Sequence, residues 1–267
     1  MDATATAEHA LREGDLARAL QQLQAGVRAQ PADVRLRIFL FQLLCVQQQW
    51  GRALAQLKVC GELSAATLPM VNTYREAIAC EAVREAVFQG RTTPLVLGQP
   101  QPWVAHLVQA LAADAQGQAG QATRLRAEAL TAAPASTGSL NGQPMAWLAD
   151  ADSRLGPLLE VIVAGRYGWL PLTHLARLVT EPPADLRDLV WQPATLTFAN
   201  GGQTVALMPS RYAPLPPDAD PMLLLARRTE WLPLADGQYR GLGQRQWVTD
   251  QTELGQLALR ELALEAP

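Results

Sequence analysis

The segment GDLARALQQL at residues 14–23 recurs further along the chain as QQWGRALAQL at residues 48–57. The two copies share arginine, alanine, glutamine and two leucines at the same positions, with helical spacing. Their offset is about 34 residues, which is the period of the tetratricopeptide repeat, a helical hairpin in which small residues let the two helices approach closely. The repeated segment therefore predicts a series of helical hairpins between residues 5 and 133.

A weaker third copy covers residues 117–134. Its Ala122 and Pro134 keep the spacing of Ala19 and Pro31 in the first copy. A proline in this position is a typical helix stop, because its ring cannot continue the helix. The third copy extends the predicted hairpins to the end of the helical region.

A long helix is predicted between the second and third copies, over residues 68–89. The proline-rich stretch that follows it cannot be helical, because each proline lacks an amide hydrogen and restricts the residue before it. We expect an ordered crossing loop there, with a new helix beginning at Trp103.

After residue 140 the apolar and β-branched runs become short and are separated by Gly, Pro, Asn and Asp, a pattern typical of strands. Strands are predicted at residues 167–172, 175–180, 194–198, 203–208, 227–232, 244–249 and 257–264. The pair Asn200-Gly201 predicts a tight hairpin between two of them.

The predicted fold class is therefore α+β. Residues 1–139 form an all-α domain of tetratricopeptide-like hairpins. Residues 140–267 form a small, strongly bent, barrel-like β-rich domain with one helix.

Composition excludes several classes of function. A net charge of −3 and a pI of about 5.7 argue against binding to nucleic acid or to an anionic membrane. The longest apolar run, at residues 38–46, is too short to span a bilayer, and the acidic N-terminus has no signal-peptide pattern. Three cysteines without close spacing suit a reducing compartment and packing roles rather than a zinc site. We expect a cytoplasmic protein without metal or cofactor.

The stretch at residues 147–160 is the densest cluster of charge. A calcium loop beginning at Asp150 would need an oxygen ligand at its fifth position and a glutamate at its twelfth, where this chain has Arg154 and Val161. Two carboxylates as close as Asp150 and Asp152 would diverge rather than pair for catalysis. The sequence excludes the calcium loop and disfavours catalysis.

A capped helix is the preferred interpretation of this stretch. Asp152 or Ser153 would cap a helix over residues 155–163, and Asp150 would pair with an arginine such as Arg154. A role in binding a partner remains open.

Two further segments, at residues 185–191 and 227–231, interleave charges with aromatic residues. Their charged members could fix strand register by pairing, which we favour, or form a rim that anchors a partner. The charged residues that we single out in them are Arg187, Asp188, Arg228 and Glu230. His9, His106 and His174 lie apart from any nucleophile or metal motif, so no catalytic residue is predicted.

Several segments together resemble the ImpE family, also called TagJ, of accessory proteins encoded in type VI secretion gene clusters. The resemblance covers nearly the whole chain and rests on LRIFLFQLL at 36–44, TYREA at 73–77, RTTPLV at 91–96, PW at 102–103, ADADSRLGP at 149–157, DLRDLVW at 185–191, ANGG at 199–202, PSRY at 209–212, RTEW at 228–231 and GLGQR at 241–245. The resemblance implies a non-catalytic adaptor. Such an adaptor binds an N-terminal helix of the small sheath subunit, TssB, and assists sheath assembly or its recycling by the ClpV unfoldase.

An amphipathic partner helix can lay its apolar stripe in a groove between helical hairpins. The residues that we expect to form this groove and its basic rim are Arg35, Phe39, Leu43, Tyr74, Arg75 and Trp103.

A different class of function stays open, a small-ligand or hydrolytic site in the C-terminal domain. It would use Asp150, Asp152, Arg187 and Asp188 around one pocket. Convergence of these side chains on an open cavity would support it, and neutralisation by neighbouring groups would remove its chemistry.

Overall fold

Seven helices precede a sheet-rich region in the computed structural model, which describes residues 3–265. The helices are α1 Ala3–Arg12, α2 Leu16–Ala29, α3 Val34–Val46, α4 Trp50–Leu63, α5 Leu68–Phe88, α6 Pro102–Ala115 and α7 Ala119–Ala132. A short helix, α8, spans Pro221–Leu224 within the sheet region. The long helix predicted at 68–89 and the helix restarting near Trp103 are both confirmed.

The three sequence copies are equivalent parts of three hairpins, α1–α2, α3–α4 and α6–α7. The turn residue has a positive φ in each: 81° at Gly14, 57° at Gln48 and 73° at Gly117. The next amide in each turn donates to the carbonyl five residues earlier, at 2.8–2.9 Å. The repeat predicted from the period of the sequence is therefore confirmed, down to the hydrogen bonds of its turns.

Small residues let the helices of each hairpin meet. Ala19, Ala53 and Ala122 occupy the same position in the second helix of the three hairpins, and each is fully buried. A larger side chain there would separate the helices, so alanine at this position accounts for the close packing.

Helix α3 packs between α4 and the C-terminal half. α3 is buried along most of its length, with α4 on one side and the C-terminal half on the other. Arg211 of the C-terminal half donates to the carbonyl of Val46 at 2.7 Å, and the rings of Trp50 and Trp191 lie 5.7 Å apart. The C-terminal half therefore covers the end of the α3–α4 hairpin at its turn.

Residues 3–265 contain 14 strands, and all but β1 lie in the C-terminal half or at its start. They are β1 Leu95–Val96, β2 Gly138–Leu140, β3 Gln143–Met145, β4 Leu148–Asp150, β5 Leu158–Val163, β6 Arg166–Pro171, β7 Leu175–Thr180, β8 Trp191–Phe198, β9 Gln203–Pro209, β10 Thr229–Pro233, β11 Tyr239–Gly243, β12 Gln246–Thr249, β13 Glu253–Gly255 and β14 Glu261–Leu264. All seven predicted strands overlap observed ones. The hairpin at Asn200-Gly201 joins β8 and β9 as predicted.

Nine strands form one sheet in the order β1-β6-β5-β9-β8-β7-β14-β2-β3, and smaller sheets pair β10 with β11 and β13-β12-β4. The α+β class is confirmed, but the barrel-like closure is wrong. Within residues 3–265 the large sheet is open, with β1 and β3 as its edges. Helices and the C-terminal loops cover part of one face, so that part of the sheet need not close on itself to be buried.

The helix predicted at residues 155–163 is also wrong, because this segment forms β5. Its apolar run LLEVIV is short and follows Pro157, and periodicity alone does not separate a short buried strand from a buried helix. β5 pairs with β6 along its length and with β9 at Ile162. The division of the chain at residue 139 stays a prediction; α7 ends at Ala132 and β2 begins at Gly138.

Candidate functional site

A buried network of charges joins the helical half to the sheet. At its centre, Arg245 donates to Asp150 at 2.6 and 2.9 Å and to Glu160 at 2.7 Å. Glu160 accepts two more hydrogen bonds from Arg84 of α5, at 2.7 and 3.0 Å, and one from the Tyr167 hydroxyl. All five side chains are buried. Because Arg84 comes from the helical half and Glu160 from the sheet, their pairing joins the two halves at this network.

Asp152 and Arg154 form a second buried pair next to this network. The carboxylate of Asp152 accepts the backbone N–H and the guanidinium of Arg154, and the amide of Gly241 donates to it at 2.9 Å. Asp152 therefore stabilises a turn and a β11 contact rather than capping a helix. Asp150 pairs with Arg245 and not with Arg154, contrary to the expectation from sequence.

The two central carboxylates have opposite pKa shifts. Burial raises the pKa of Asp150 to about 6, although the nearby Arg245 lowers it. Burial acts in the same direction on Glu160, but Arg84 and Arg245 together outweigh it and bring the pKa of that carboxyl down to about 2. At neutral pH both groups are charged and hydrogen-bonded, so neither is available as a free acid or base.

The charged segment at residues 185–188 is neutralised separately. Asp185 pairs with Arg187, whose guanidinium lies 4.7 Å from the centroid of the Tyr74 ring. Asp188 accepts the backbone N–H groups of Ala184 and Asp185, at 2.7 and 3.2 Å. Both carboxylates of this segment are therefore paired locally, within residues 184–188.

Arg228 and Glu230 also pair, at 2.7 Å, and Arg228 lies 3.2 Å from Asp220. This group is partly exposed at β10, unlike the buried network. Salt bridges of this kind contribute little to stability.

The four residues of the hydrolytic interpretation do not converge. A cleft of about 390 Å³ is lined by Arg187 and Asp188, but Asp150 and Asp152 are not among its lining residues. Asp150 and Asp152 point into the buried network instead. The pocket chemistry that would support a ligand or hydrolytic site is therefore not assembled by these residues.

The six residues predicted to bind a partner are spread over several environments. Leu43, Tyr74 and Trp103 are buried in the core shared by the two halves. Phe39 is half-buried and lines a cleft between α1, α3 and residues 183–189. Arg35 and Arg75 are exposed on α3 and α5. The structure thus places half of the predicted groove inside the protein.

An open apolar groove lies elsewhere on the helical half, between α4 and α5. Its volume is about 620 Å³, and its lining residues are Leu54, Leu57, Lys58, Gly61, Glu62, Leu68, Val71, Asn72 and Arg75. Leu54 and Leu68 are 36% and 45% exposed, and with Val71 they make the groove a contiguous apolar surface. We call this surface the α4–α5 groove.

The rim of the α4–α5 groove is basic. Lys58 lies 3.9 Å from Glu62, an exposed contact along α4. Arg75 has no hydrogen bond or ion pair within residues 3–265. One cation of the rim is therefore free to meet an acidic group.

Sequence reasoning missed Arg84 and Glu160 and the α4–α5 groove. Arg84 and Glu160 are 76 residues apart and carry no local pattern. One sequence signal of the groove was present. Arg75 lies one repeat period after Phe41, which is buried in α3. A charge at a position that is apolar in the preceding copy was the available signal.

Within the part of the chain that the structure describes, no three His, Cys, Asp or Glu side chains are placed to hold a metal ion. The same residues include no helix with the length and apolarity needed to cross a bilayer. Cys45, Cys60 and Cys80 are free and buried, as expected for packing residues.

Comparison with known proteins adds three findings. Residues 142–263 match the family model described as ImpE protein. The type VI secretion system accessory component TagJ of Pseudomonas aeruginosa is 56% identical over 259 residues, covering 97% of this chain and 91% of that protein. A crystal structure of a Vibrio parahaemolyticus protein superposes with a TM-score of 0.87 at 25% identity, covering 97% of each chain.

Proposed function

The chain belongs to the ImpE family, which includes the TagJ accessory component of type VI secretion, and on that premise we propose that it is a non-catalytic adaptor that binds the N-terminal helix of the small sheath subunit, TssB. In this role it assists assembly of the sheath or its recycling by ClpV. The α4–α5 groove is the surface that we assign to the sheath helix.

The observation that carries the proposal is the exposed apolar lining of this groove. Leu54, Leu68 and Val71 offer a continuous apolar surface between two helices, in a volume of about 620 Å³. An amphipathic helix binds such a surface by inserting the side chains of one stripe. Arg75 and Lys58 at the rim suit acidic residues that flank this stripe.

The charged residues support a non-catalytic role. The carboxylates of Asp150, Asp152 and Glu160 are occupied by arginines and backbone amides inside the protein. A hydrolytic site needs a carboxylate that faces substrate in an open cavity. The charge cluster is better explained as the junction between the two halves.

The proposal is tested by calorimetry with a peptide of the first ~20 residues of the cognate TssB, long enough for about five helical turns. We expect saturable binding with a negative heat-capacity change, because apolar surface is buried. Leu68→Glu should abolish binding, since it places a charge in the groove. Val205→Glu is the matched control, because Val205 is 69% exposed on β9 and outside the groove.

Two further variants distinguish an effect on folding from an effect on peptide binding. Tyr74→Ala and Trp103→Ala remove buried side chains that do not line the groove. We therefore expect them to lower the free energy of unfolding without acting on the groove directly. Failure of the folded wild-type protein to bind the TssB peptide at high micromolar concentration would remove the sheath-helix role.

A further inference from the structure

The α4–α5 groove occupies a defined position in the helical repeat. α3 begins at Val34 and α5 begins at Leu68, which is one repeat period later. Leu44 of α3 and Ile78 of α5 are equivalent by this period, and both are buried. α5 is therefore the first helix of an incomplete hairpin that follows α1–α2 and α3–α4 in the series.

The second helix of this incomplete hairpin is missing from residues 3–265. Its turn would fall at Ala82, the equivalent of Gln48, but α5 continues through this position and ends at Phe88. The chain then leaves towards α6, where the backbone and side chains of α6 lie against Gly90. α6 and α7 form their own hairpin and do not line the groove.

The missing helix leaves one face of α5 uncovered. In α3, Arg37 reaches its own second helix and donates to Gln56 at 3.0 Å. The equivalent of Arg37 in α5 is Val71, and the equivalent of the buried Phe41 is Arg75; both line the groove. The face of α5 that should meet a second helix is thus the wall of the groove.

The missing helix also explains why the α4 side of the groove is exposed. Leu54 and Gly61 of α4 correspond to Leu20 and Val27 of α2, which are partly buried against the core. Leu54 is more exposed than Leu20, as expected where the next second helix is absent.

We infer that the α4–α5 groove accepts one amphipathic helix of a partner in the place of the missing second helix, antiparallel to α5 and parallel to α4. This inference rests on the proposed function for the identity of the partner, the sheath subunit. It adds the orientation of the bound helix and the pattern of its buried stripe.

The second helices of the chain's own hairpins predict which residues form the buried stripe of the partner helix. In α2 it consists of Ala19, Leu23 and Gly26, and in α4 of Ala53, Leu57 and Cys60, all buried. The partner helix should therefore carry a small residue, a leucine four positions later and a small residue three positions after that. Its remaining groove-facing charges should be acidic, because Arg75 lines the groove and is unpaired within the described residues.

Two glycines of α4 provide a matched pair of variants. A side chain at Gly61 would project into the groove, where its Cβ meets Leu68 and Val71 at ordinary distances of 3.4 and 3.6 Å. A side chain at Gly51 meets nothing within 4 Å. Gly61→Leu should fill the groove in a folded protein, and Gly51→Leu should leave it open.

Two probes are measured by fluorescence anisotropy on these proteins. One is the TssB N-terminal peptide, and the other is a synthetic copy of residues 15–30 carrying Arg18→Glu and Arg28→Glu. We expect both to bind the wild type and Gly51→Leu, and binding to Gly61→Leu to weaken by about tenfold or more, as at a buried interface centre. Arg75→Glu should also weaken both, whereas Arg35→Glu on α3 should not.

The outcomes separate the two proposals. Binding of TssB that is unaffected by Gly61→Leu overturns the groove and leaves the adaptor role standing. If the α2 copy binds and the TssB peptide does not, the groove is a helix-binding site but the sheath subunit is not its partner. Failure of both peptides to bind the wild type overturns the inference.

Orientation is tested by disulfide cross-linking from Leu68→Cys, since the three native thiols are buried. Leu68 begins α5, so an antiparallel helix brings its C-terminus there. A cysteine at the C-terminus of the TssB peptide, or of the α2 copy should TssB not bind, should cross-link, and one at the N-terminus should not. The opposite preference would overturn the orientation.

Discussion

Arg84 of α5 and Glu160 of β5 form a buried ion pair with two hydrogen bonds, at 2.7 and 3.0 Å, between the helical half and the sheet. Arg84 also donates to the carbonyl of Arg211, and Glu160 also accepts from Arg245. Removing Glu160 would leave Arg84 and Arg245 with one carboxylate each, Glu81 and Asp150, in place of two. The pair therefore links the docking of the two halves to the stability of the whole chain.

Replacing Glu160 by glutamine removes the negative charge that Arg84 and Arg245 share. We expect Glu160→Gln to lower the free energy of unfolding by about 3–5 kcal/mol, the usual cost of breaking a buried ion pair. Urea unfolding measures this change. The control is Glu261→Gln, which breaks an exposed pair with Arg177 at 2.7 Å and should cost less than about 1 kcal/mol. Equal losses of unfolding free energy in the two variants would contradict the role of Glu160 as a stabilising buried charge.

The pH dependence of stability should carry the signature of the same carboxyl. Burial alone would raise the pKa of Glu160, but its two arginines outweigh burial and lower the pKa from 4.5 to about 2, so the folded state holds the charged form more strongly than the unfolded state. The resulting stability is present above pH 4.5 and is lost as the pH falls towards about 2. The difference in unfolding free energy between wild type and Glu160→Gln should therefore narrow over this window. A constant difference would show that Glu160 does not titrate in this way.

Local signals explain what could be predicted from the sequence. The repeat period specified the hairpins, because each repeat buries its own small residues, and Asn200-Gly201 specified a β-turn by its backbone preference. The pairing of Arg245 with Asp150 could not be predicted, because the two residues are 95 positions apart and on separate strands or turns. The segment at 155–163 was misassigned because its apolar run suits a strand as well as a helix.

The candidate groove was partly predictable. Arg75 was identified, but it was grouped with Leu43, Tyr74 and Trp103, which are buried. Aromatic and aliphatic residues at helical spacing serve the core and a groove equally well, and only the tertiary contacts distinguish the two. The three-dimensional arrangement of the hairpins is needed to identify the face of α5 that lacks a helix.

The turn between α3 and α4 offers a stabilising substitution. Gln48 has a φ of 57°, whereas the equivalent positions in the other two hairpins are Gly14 and Gly117. A side chain in this left-handed conformation is strained, so we expect Gln48→Gly to raise the free energy of unfolding by about 0.5–1 kcal/mol. Gln47→Gly is the control, because its φ is −80° and glycine gains nothing there. A rise in both variants, or in neither, would argue against strain at the turn.

Arg126 occupies the position of Leu23 and Leu57 in the third hairpin, yet it is fully buried. It pairs with Asp114 of α6 and donates to the side chain of Gln238 at 2.5 Å. We expect Arg126→Leu to lower the free energy of unfolding by only about 1–3 kcal/mol, because Asp114 is 29% exposed and can be hydrated, while the buried side chain of Gln238 loses one hydrogen bond. Hydrogen exchange at Gln238 should quicken, since one of its contacts with α7 is lost.

The reverse substitution in the second hairpin provides the contrast. The equivalent of Asp114 there is Cys45, so Leu57→Arg would bury a cation without a carboxylate at that position. We expect it to cost several kcal/mol, about the penalty of an unpaired buried charge, and urea unfolding compares the two variants directly. A large loss in Arg126→Leu, matching that of Leu57→Arg, would instead mean that the ion pair with Asp114 is needed to hold α6 against α7. In that case the third hairpin would depend on charge where the first two depend on leucine.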